Sequence, residues 1–146
     1  MGFTVRAALD ALPATARLVV AELHAEVLEW CRGPLAPLTR GAVLDPRVEV
    51  HITDVTRLIA AAPRATYDAI LLDLYEGPHG QDDGDPLYGA AALARAREAL
   101  APGGVLAVWS EEPDARFPGR LLRAGFKVET ARAGRGGRRH VIYLGR

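Results

Sequence analysis

Tyr67-Asp68-Ala69-Ile70-Leu71-Leu72-Asp73-Leu74-Tyr75-Glu76-Gly77-Pro78 is the stretch whose reading decides the fold. Asp68 opens onto an unbroken apolar run, Ala69 to Leu72, with no polar alternation. A run of that kind between polar residues reads as a strand buried on both faces, the habit of strands inside a parallel sheet. A buried helix would show the same few residues, but Pro63 before it and Gly77-Pro78 after it leave too little room for one. The run ends on a carboxylate, Asp73, and Glu76 follows closely. Ligands of open α/β sheets bind beyond the carboxyl ends of the strands, so both acids stand where chemistry is expected. The plainer alternative is an acid that only caps a loop.

On the N-terminal side, Val5, Ala8, Leu9 and Leu12 share one helix face that Pro13 closes. Arg17–Glu22 reads as a strand that also ends on an acid. Leu23, Val27, Trp30 and Cys31 recur at helical spacing until Gly33-Pro34, and Leu35–Pro46 reads as a loop. Val48–Ile52 is a strand, then Thr53-Asp54 leads into a short helix carrying Val55, Leu58, Ile59 and Ala62. On the C-terminal side, His79–Pro86 is an acidic loop, Leu87–Ala101 a helix ended by Pro102-Gly103-Gly104, and Val105–Ser110 an apolar strand. Asp114 stands as the cap of a helix running to Ala124, with Gly125 at its stop. Phe126–Arg132 and His140–Leu144 read as an antiparallel hairpin. Strands alternating with helices imply βαβ units, right-handed crossovers and an α/β fold on a mostly parallel sheet, with the hairpin added at its end.

With 146 residues, the chain is expected to form a single domain able to bury a core. Eighteen basic and eighteen acidic residues cancel, so no overall field draws it to nucleic acid or membrane, and neither partner is expected. Seventeen of the basic residues are Arg, which with the abundant Ala reads as a compositional bias. The lone Cys31 excludes an intrachain disulfide and suits a reducing cytoplasm. No apolar run approaches the roughly 18 residues of a membrane span, and the opening residues do not read as a signal peptide.

Taken in order, these residues resemble the spermidine synthase (polyamine aminopropyltransferase) family, within the class-I S-adenosylmethionine-dependent methyltransferase fold. The resemblance runs from about Met1 to Trp109, and its most specific part is Tyr67–Gly104. There an apolar strand ends on Asp73, and a second acid, Glu76, precedes Gly77-Pro78. Leu87-Tyr88 then opens a helix that ends in Pro102-Gly103-Gly104. The resemblance implies a Rossmann-like, methyltransferase-type sheet flanked by helices. It implies that Glu22, with Leu23 beside it, holds the ribose hydroxyls of an adenosyl group. Asp54, with Val55, takes the adenine amino group, and Leu74 flanks the same ligand. Asp73 accepts the proton of the attacking amine, Glu76 is the second acid, and Tyr75 and Tyr88 line the acceptor pocket. For the two tyrosines a packed core aromatic is the open alternative, and for Asp54 a helix cap.

The implied co-substrate is S-adenosylmethionine or its decarboxylated form, without a metal, and the implied partner is a small-molecule amine. Several features depart from the family pattern: Glu76 stands where the family has Asp, and the family's N-terminal β domain is missing. The glycine-rich loop is absent, Met1-Gly2-Phe3-Thr4 reading as its tail, so a Rossmann domain without its first strand is expected. Ala92-Leu93 also stands where aromatics are usual. A strand missing from mid-sheet leaves an edge, and the chain is expected to form a homodimer through it, to close the gap by direct pairing of the flanking strands, or to aggregate. The functional readings are an aminopropyl- or other alkyltransferase acting on an amine, a methyltransferase of a small molecule or RNA, or a non-catalytic remnant of the fold. His24, His51, His79 and His140 show no metal-ligand spacing, and Asp82, Asp83 and Asp85 lack the calcium-loop pattern. Cys31, Trp30 and Trp109 are expected in the core, and the arginines of Arg132–His140 read as a solvated turn.

Overall fold

The computed structural model describes residues 2–74, 77–78, 84–133 and 140–146. The chain divides into two compact units, one ending at Leu58 and the other running from Ile59 to Arg146.

In the first unit, helix α1 (Gly2–Ala11) is followed by strand β1 (Leu18–Glu22), helix α2 (Ala25–Arg32), a short helix α3 (Ala36–Thr39), and strand β2 (Val48–Ile52). β1 and β2 pair in parallel from Leu18↔Val48 to Glu22↔Ile52. Val5 and Leu9, one turn apart on α1, bury against Ala42, with Leu18, Val20 and Val48 packed around them. Leu28, Cys31 and Val43 form a second cluster with Val27, Leu35 and Val50, so Cys31 is core as expected. Trp30 is not: it is 56% exposed, because the inward stripe of α2 is Leu28 and Cys31 with Val27 beside them, and Trp30 lies off that stripe. The segment read as a loop, Leu35–Pro46, instead holds α3 and a 3₁₀ turn at Ala42–Leu44. Pro37 sits in the first turn of α3, where its missing N–H costs nothing, and Arg40 and Gly41 turn the chain with positive φ.

Helix α4 (Val55–Ala61) leads to the second unit, which contains β3 (Tyr67–Leu72), α5 (Ala90–Ala99), β4 (Leu100–Ser110), α6 (Phe117–Arg123), β5 (Val128–Ala133) and β6 (His140–Gly145). The sheet order is β3-β4-β6-β5, with β3 parallel to β4 and the last two strands antiparallel. This is the α/β arrangement read from the sequence, parallel strands first and an antiparallel hairpin last. Leu93, Ala96 and Ala99 of α5 and Phe117 and Leu121 of α6 are buried, as are Ile70 and Leu72 of β3, Leu106 and Val108 of β4 and Val141 and Tyr143 of β6.

Three expectations need correction. β3 is not buried on both faces: Ile70 and Leu72 are buried, but Ala69 and Leu71 are exposed, because β3 is the outer strand of its sheet and alternates despite its apolar run. The helix expected over Leu87–Ala101 covers only Ala90–Ala99. Its start is delayed because Asp85 Oδ1 accepts the N–H groups of Leu87 and Tyr88, holding those residues in a turn. Its end comes early because Leu100 is already extended and pairs with Tyr67. Pro102-Gly103-Gly104 is therefore a bulge rather than a helix stop: the register passes from Tyr67↔Leu100 to Ala69↔Val105, so Ala101–Gly104 bow out opposite Asp68. Gly103 has φ 82°, which only glycine adopts without strain. Third, Asp114 does not cap α6, whose flanking residue is Arg116; its Oδ1 accepts the Arg116 N–H at 2.7 Å in a turn one step earlier.

Candidate functional site

Glu22 closes β1, and Asp54 lies two residues beyond its register partner Ile52 on β2. Parallel pairing brings both acids to the same carboxyl end of the first unit's sheet. Each has one oxygen held by the chain. Glu22 Oε1 accepts the His24 N–H at 3.0 Å. Asp54 Oδ1 accepts from the Thr56 N–H at 2.8 Å and the Thr56 hydroxyl at 2.7 Å, a local cap at the start of α4. The Thr56 hydroxyl and N–H together hold the Asp54 carboxyl below the usual carboxylate range. Among the described residues, Glu22 Oε2 and Asp54 Oδ2 meet no donor. Leu23, strongly exposed, and Val55, half-buried, put apolar surface beside the two acids.

In the second unit, Asp73 follows the last residue of β3 and is exposed, with Leu74 beside it at the surface. Tyr75 and Glu76 lie outside the described residues, as do His79, Asp82, Asp83 and most of the arginine-rich turn. Gly77 and Pro78, where the stretch resumes, are buried. A Cβ on Gly77 would meet Ser110 Oγ at 2.2 Å, so only glycine fits against the end of β4. The Pro78 carbonyl accepts from Arg120 Nη2 at 2.7 Å. Tyr88 is buried and stands edge-on to Phe117, ring centres 5.8 Å apart. Burial, with the Asp85 charge, pushes its hydroxyl up to about 12. Asp85, weighed from sequence as part of an acidic loop, serves as a turn acceptor for Leu87 and Tyr88.

The structure thus places Glu22 and Asp54 together in one unit and Asp73 at a strand end of the other. Sequence reasoning missed the polar cluster behind Gly77-Pro78. Arg120 and Asp114 form a buried ion pair at 3.1 Å, and the Asp114 N–H donates to the Tyr143 hydroxyl at 2.6 Å. Burial, the larger cause, raises the Tyr143 phenol. One arginine among seventeen carries no signal of its own; the buried charge becomes visible only once α6 is folded. Among the described residues no three His, Cys, Asp or Glu gather as metal ligands, and no helix is long and apolar enough to cross a membrane.

Residues 5–116 match the family model for the spermine/spermidine synthase domain. A polyamine aminopropyltransferase of Nitrosomonas europaea is 38% identical over 112 residues, 75% of this chain and 33% of that protein. A spermidine synthase solved in complex with the transition state analogue AdoDATO superposes with a TM-score of 0.76 at 20% identity, over 99% of this chain and 51% of that one. Human methyltransferase-like protein 13, solved with SAH, superposes with a TM-score of 0.56 at 20% identity, over 97% and 77%. At these identities the solved structures speak for the fold, a Rossmann-like methyltransferase fold. The chain spans about a third of the length of the Nitrosomonas relative and half of the first of these structures.

Proposed function

The chain belongs to the spermine/spermidine synthase family, and from that premise we propose that it carries the nucleoside-binding and proton-accepting groups of an aminopropyltransferase. The observation that carries the reading is the pair of strand-end carboxylates, Glu22 and Asp54, at one end of the parallel β1–β2 pair. Chain donors fix one oxygen of each and leave the other to a ligand. A carboxylate is a natural acceptor for two adjacent ribose hydroxyls, so Glu22, beside Leu23, takes the ribose. Asp54, beside Val55, accepts from the adenine amino group, and Leu74 adds apolar contact. The donor is decarboxylated S-adenosylmethionine and the acceptor a small amine. The amine lone pair forms a bond to the carbon next to the sulfonium as the carbon–sulfur bond breaks and its electron pair returns to sulfur. Asp73 attracts the ammonium form and takes its proton, freeing the lone pair. Glu76 is the second acid of the acceptor site, and Tyr75 and Tyr88 are its aromatic walls. The protein mainly orients reactants and manages one proton, since the sulfonium is already a good leaving group.

A homodimer belongs to the same reading. β3 is an outer strand of its sheet, Leu71 is 56% exposed, and such an edge invites pairing. Light scattering of the purified chain tests it, a monomer at all concentrations refuting it. A cytoplasmic setting fits the single, buried, free Cys31.

Calorimetry with decarboxylated S-adenosylmethionine, S-adenosylmethionine and methylthioadenosine tests the main reading. The decarboxylated donor and methylthioadenosine are expected to bind, with Glu22→Ala weakening them by about 1–3 kcal/mol, the cost of a lost hydrogen-bonded charged partner. A strong preference for S-adenosylmethionine would favour the methyltransferase reading instead. Binding of none of the three, here or in a longer chain, would leave a non-catalytic remnant.

A further inference from the structure

We propose that Arg120 is a positioning residue that anchors the far end of the acidic stretch beginning at Asp73. The inference rests on the reading of Asp73 as the proton acceptor. The stretch leaves β3 at the buried Leu72 and is caught again at Gly77-Pro78. There Arg120 Nη2 donates to the Pro78 carbonyl at 2.7 Å and to Asp114 Oδ2 at 3.1 Å. The guanidinium lies over the Phe117 ring, 5.1 Å from its centre, with its side chain 4% exposed. A buried charge is retained only where its partners are well placed, and one of these partners is the backbone that follows the acids. Asp114 is itself held, its N–H donating to the Tyr143 hydroxyl at 2.6 Å and its carbonyl accepting from that hydroxyl at 3.2 Å. Ser110, against which Gly77 fits, donates to the Glu112 carbonyl at 2.7 Å. The anchor is therefore built from the end of β4, the turn that precedes α6, α6 itself and β6. On this proposal the anchored Gly77-Pro78 limits how far the chain leaving β3 can carry Asp73, and catalysis is sensitive to displacements of about 1 Å.

Arg120→Met, Asp114→Asn and Leu121→Ala together test this. Leu121 lies on the same helix, is fully buried and touches neither Pro78 nor Asp114 through a hydrogen bond, so it serves as a control for plain loss of stability. Hydrogen exchange of the peptide covering Leu72–Pro78 is the first readout and needs no activity. Arg120→Met is expected to raise its exchange rate at least about tenfold while β4 and β6 exchange as before. Leu121→Ala is expected to leave that peptide unchanged at an equal loss of melting temperature. Asp114→Asn keeps the Arg120–Pro78 bond and should sit between them. In the active protein, Arg120→Met should lower kcat by about 10–100-fold with the affinity for the adenosyl donor unchanged. Unchanged exchange in Arg120→Met, or the same increase in Leu121→Ala, would overturn the proposal. If Arg120→Met does not fold, Asp114→Asn carries the comparison, and it must exceed Leu121→Ala in that peptide for the proposal to stand. Altered exchange with intact turnover would overturn the positioning role and leave only the anchor, whereas intact turnover in Asp73→Asn would separately refute the reading of Asp73 as proton acceptor.

Discussion

Gly77→Ala adds one methyl group where the second unit has least room. Its Cβ would lie 2.2 Å from Ser110 Oγ, 2.7 Å from Ser110 Cβ and 3.0 Å from Ser110 Cα. Carbon atoms sit comfortably at about 3.5–4.0 Å, so the Cβ–Cβ approach is short by about 1 Å. Neither atom is the tip of a flexible side chain. Ser110 cannot swing aside cheaply: it is fully buried, paired opposite Val141 in the sheet, and its hydroxyl donates to the Glu112 carbonyl. Overpacking a filled site costs about 1–3 kcal/mol, and the upper half of that range applies because rotating Ser110 relieves only the Oγ contact. The melting temperature should fall by about 4–12 °C, at roughly 2–4 °C per kcal/mol for a chain of this size. Urea melts followed by Trp109 fluorescence, in a Trp30→Phe background, report this unit alone, because each unit holds one tryptophan. Adding Ser110→Ala leaves the Cβ–Cβ clash and should restore little, whereas Ser110→Gly removes both clashing side-chain atoms and should restore more than half. A Gly77→Ala protein within about 0.5 kcal/mol of the parent would refute the packing argument, as would equal rescue by both second substitutions.

Three further outcomes are expected. Asp45 is held at a pKa of about 2 by the Arg47 side chain, which grips both its oxygens at 3.0 Å, and by the Arg47 N–H. Its folded pKa lies below the ordinary value of about 3.9, so the contribution is complete above about pH 4 and lost as pH falls through about 2; Asp45→Asn should flatten the melting temperature over that window. Tyr143→Phe removes the acceptor of the Asp114 N–H and should cost about 1–3 kcal/mol in urea melts, a loss below about 0.5 showing that water or a shifted backbone replaces it. Thr56→Val takes two donors from Asp54 Oδ1, so its carboxyl should titrate higher by NMR, and α4 should lose about 0.5–2 kcal/mol as for a broken cap.

What was legible in the sequence is what local pattern controls. Val48–Ile52 forms the strand its alternation with polar neighbours implies, and Tyr67–Leu72 forms the apolar strand ending before Asp73. Apolar periodicity does not report how many faces are covered, which is why Leu71 reads as core and is exposed: coverage depends on which strand lies at the edge of the sheet. Pro102-Gly103-Gly104 reads as a helix stop because Pro and Gly end helices and open bulges alike, and the pairing of Tyr67 with Leu100 and of Ala69 with Val105 decided between the two. Arg120 and Pro78 are 42 residues apart, and nothing near either announces the bond.

The strand-end acids read from the sequence both as ligand groups and as plain structural acceptors, and the structure shows how the structural role is met. Asp54 has two readings, helix cap and adenine acceptor, that can hold together. The geometry separates them by atom. Thr56 occupies Oδ1 with a backbone and a hydroxyl donor, and a carboxylate so engaged keeps its charge and a second oxygen with its own lone pairs. On the proposed reading the cap helps the ligand role, because the Thr56 hydroxyl and N–H orient the acid and lower its pKa, which favours the ionised acceptor. Glu22 follows the same logic one strand away: the His24 N–H engages Oε1 and leaves Oε2 toward the strand end. A carboxylate that satisfies its own backbone with one oxygen and presents the other is preorganised at no extra cost when a ligand arrives. On the proposed reading, that is a physical reason for a nucleoside to meet acids at the carboxyl ends of β1 and β2 rather than along the strands.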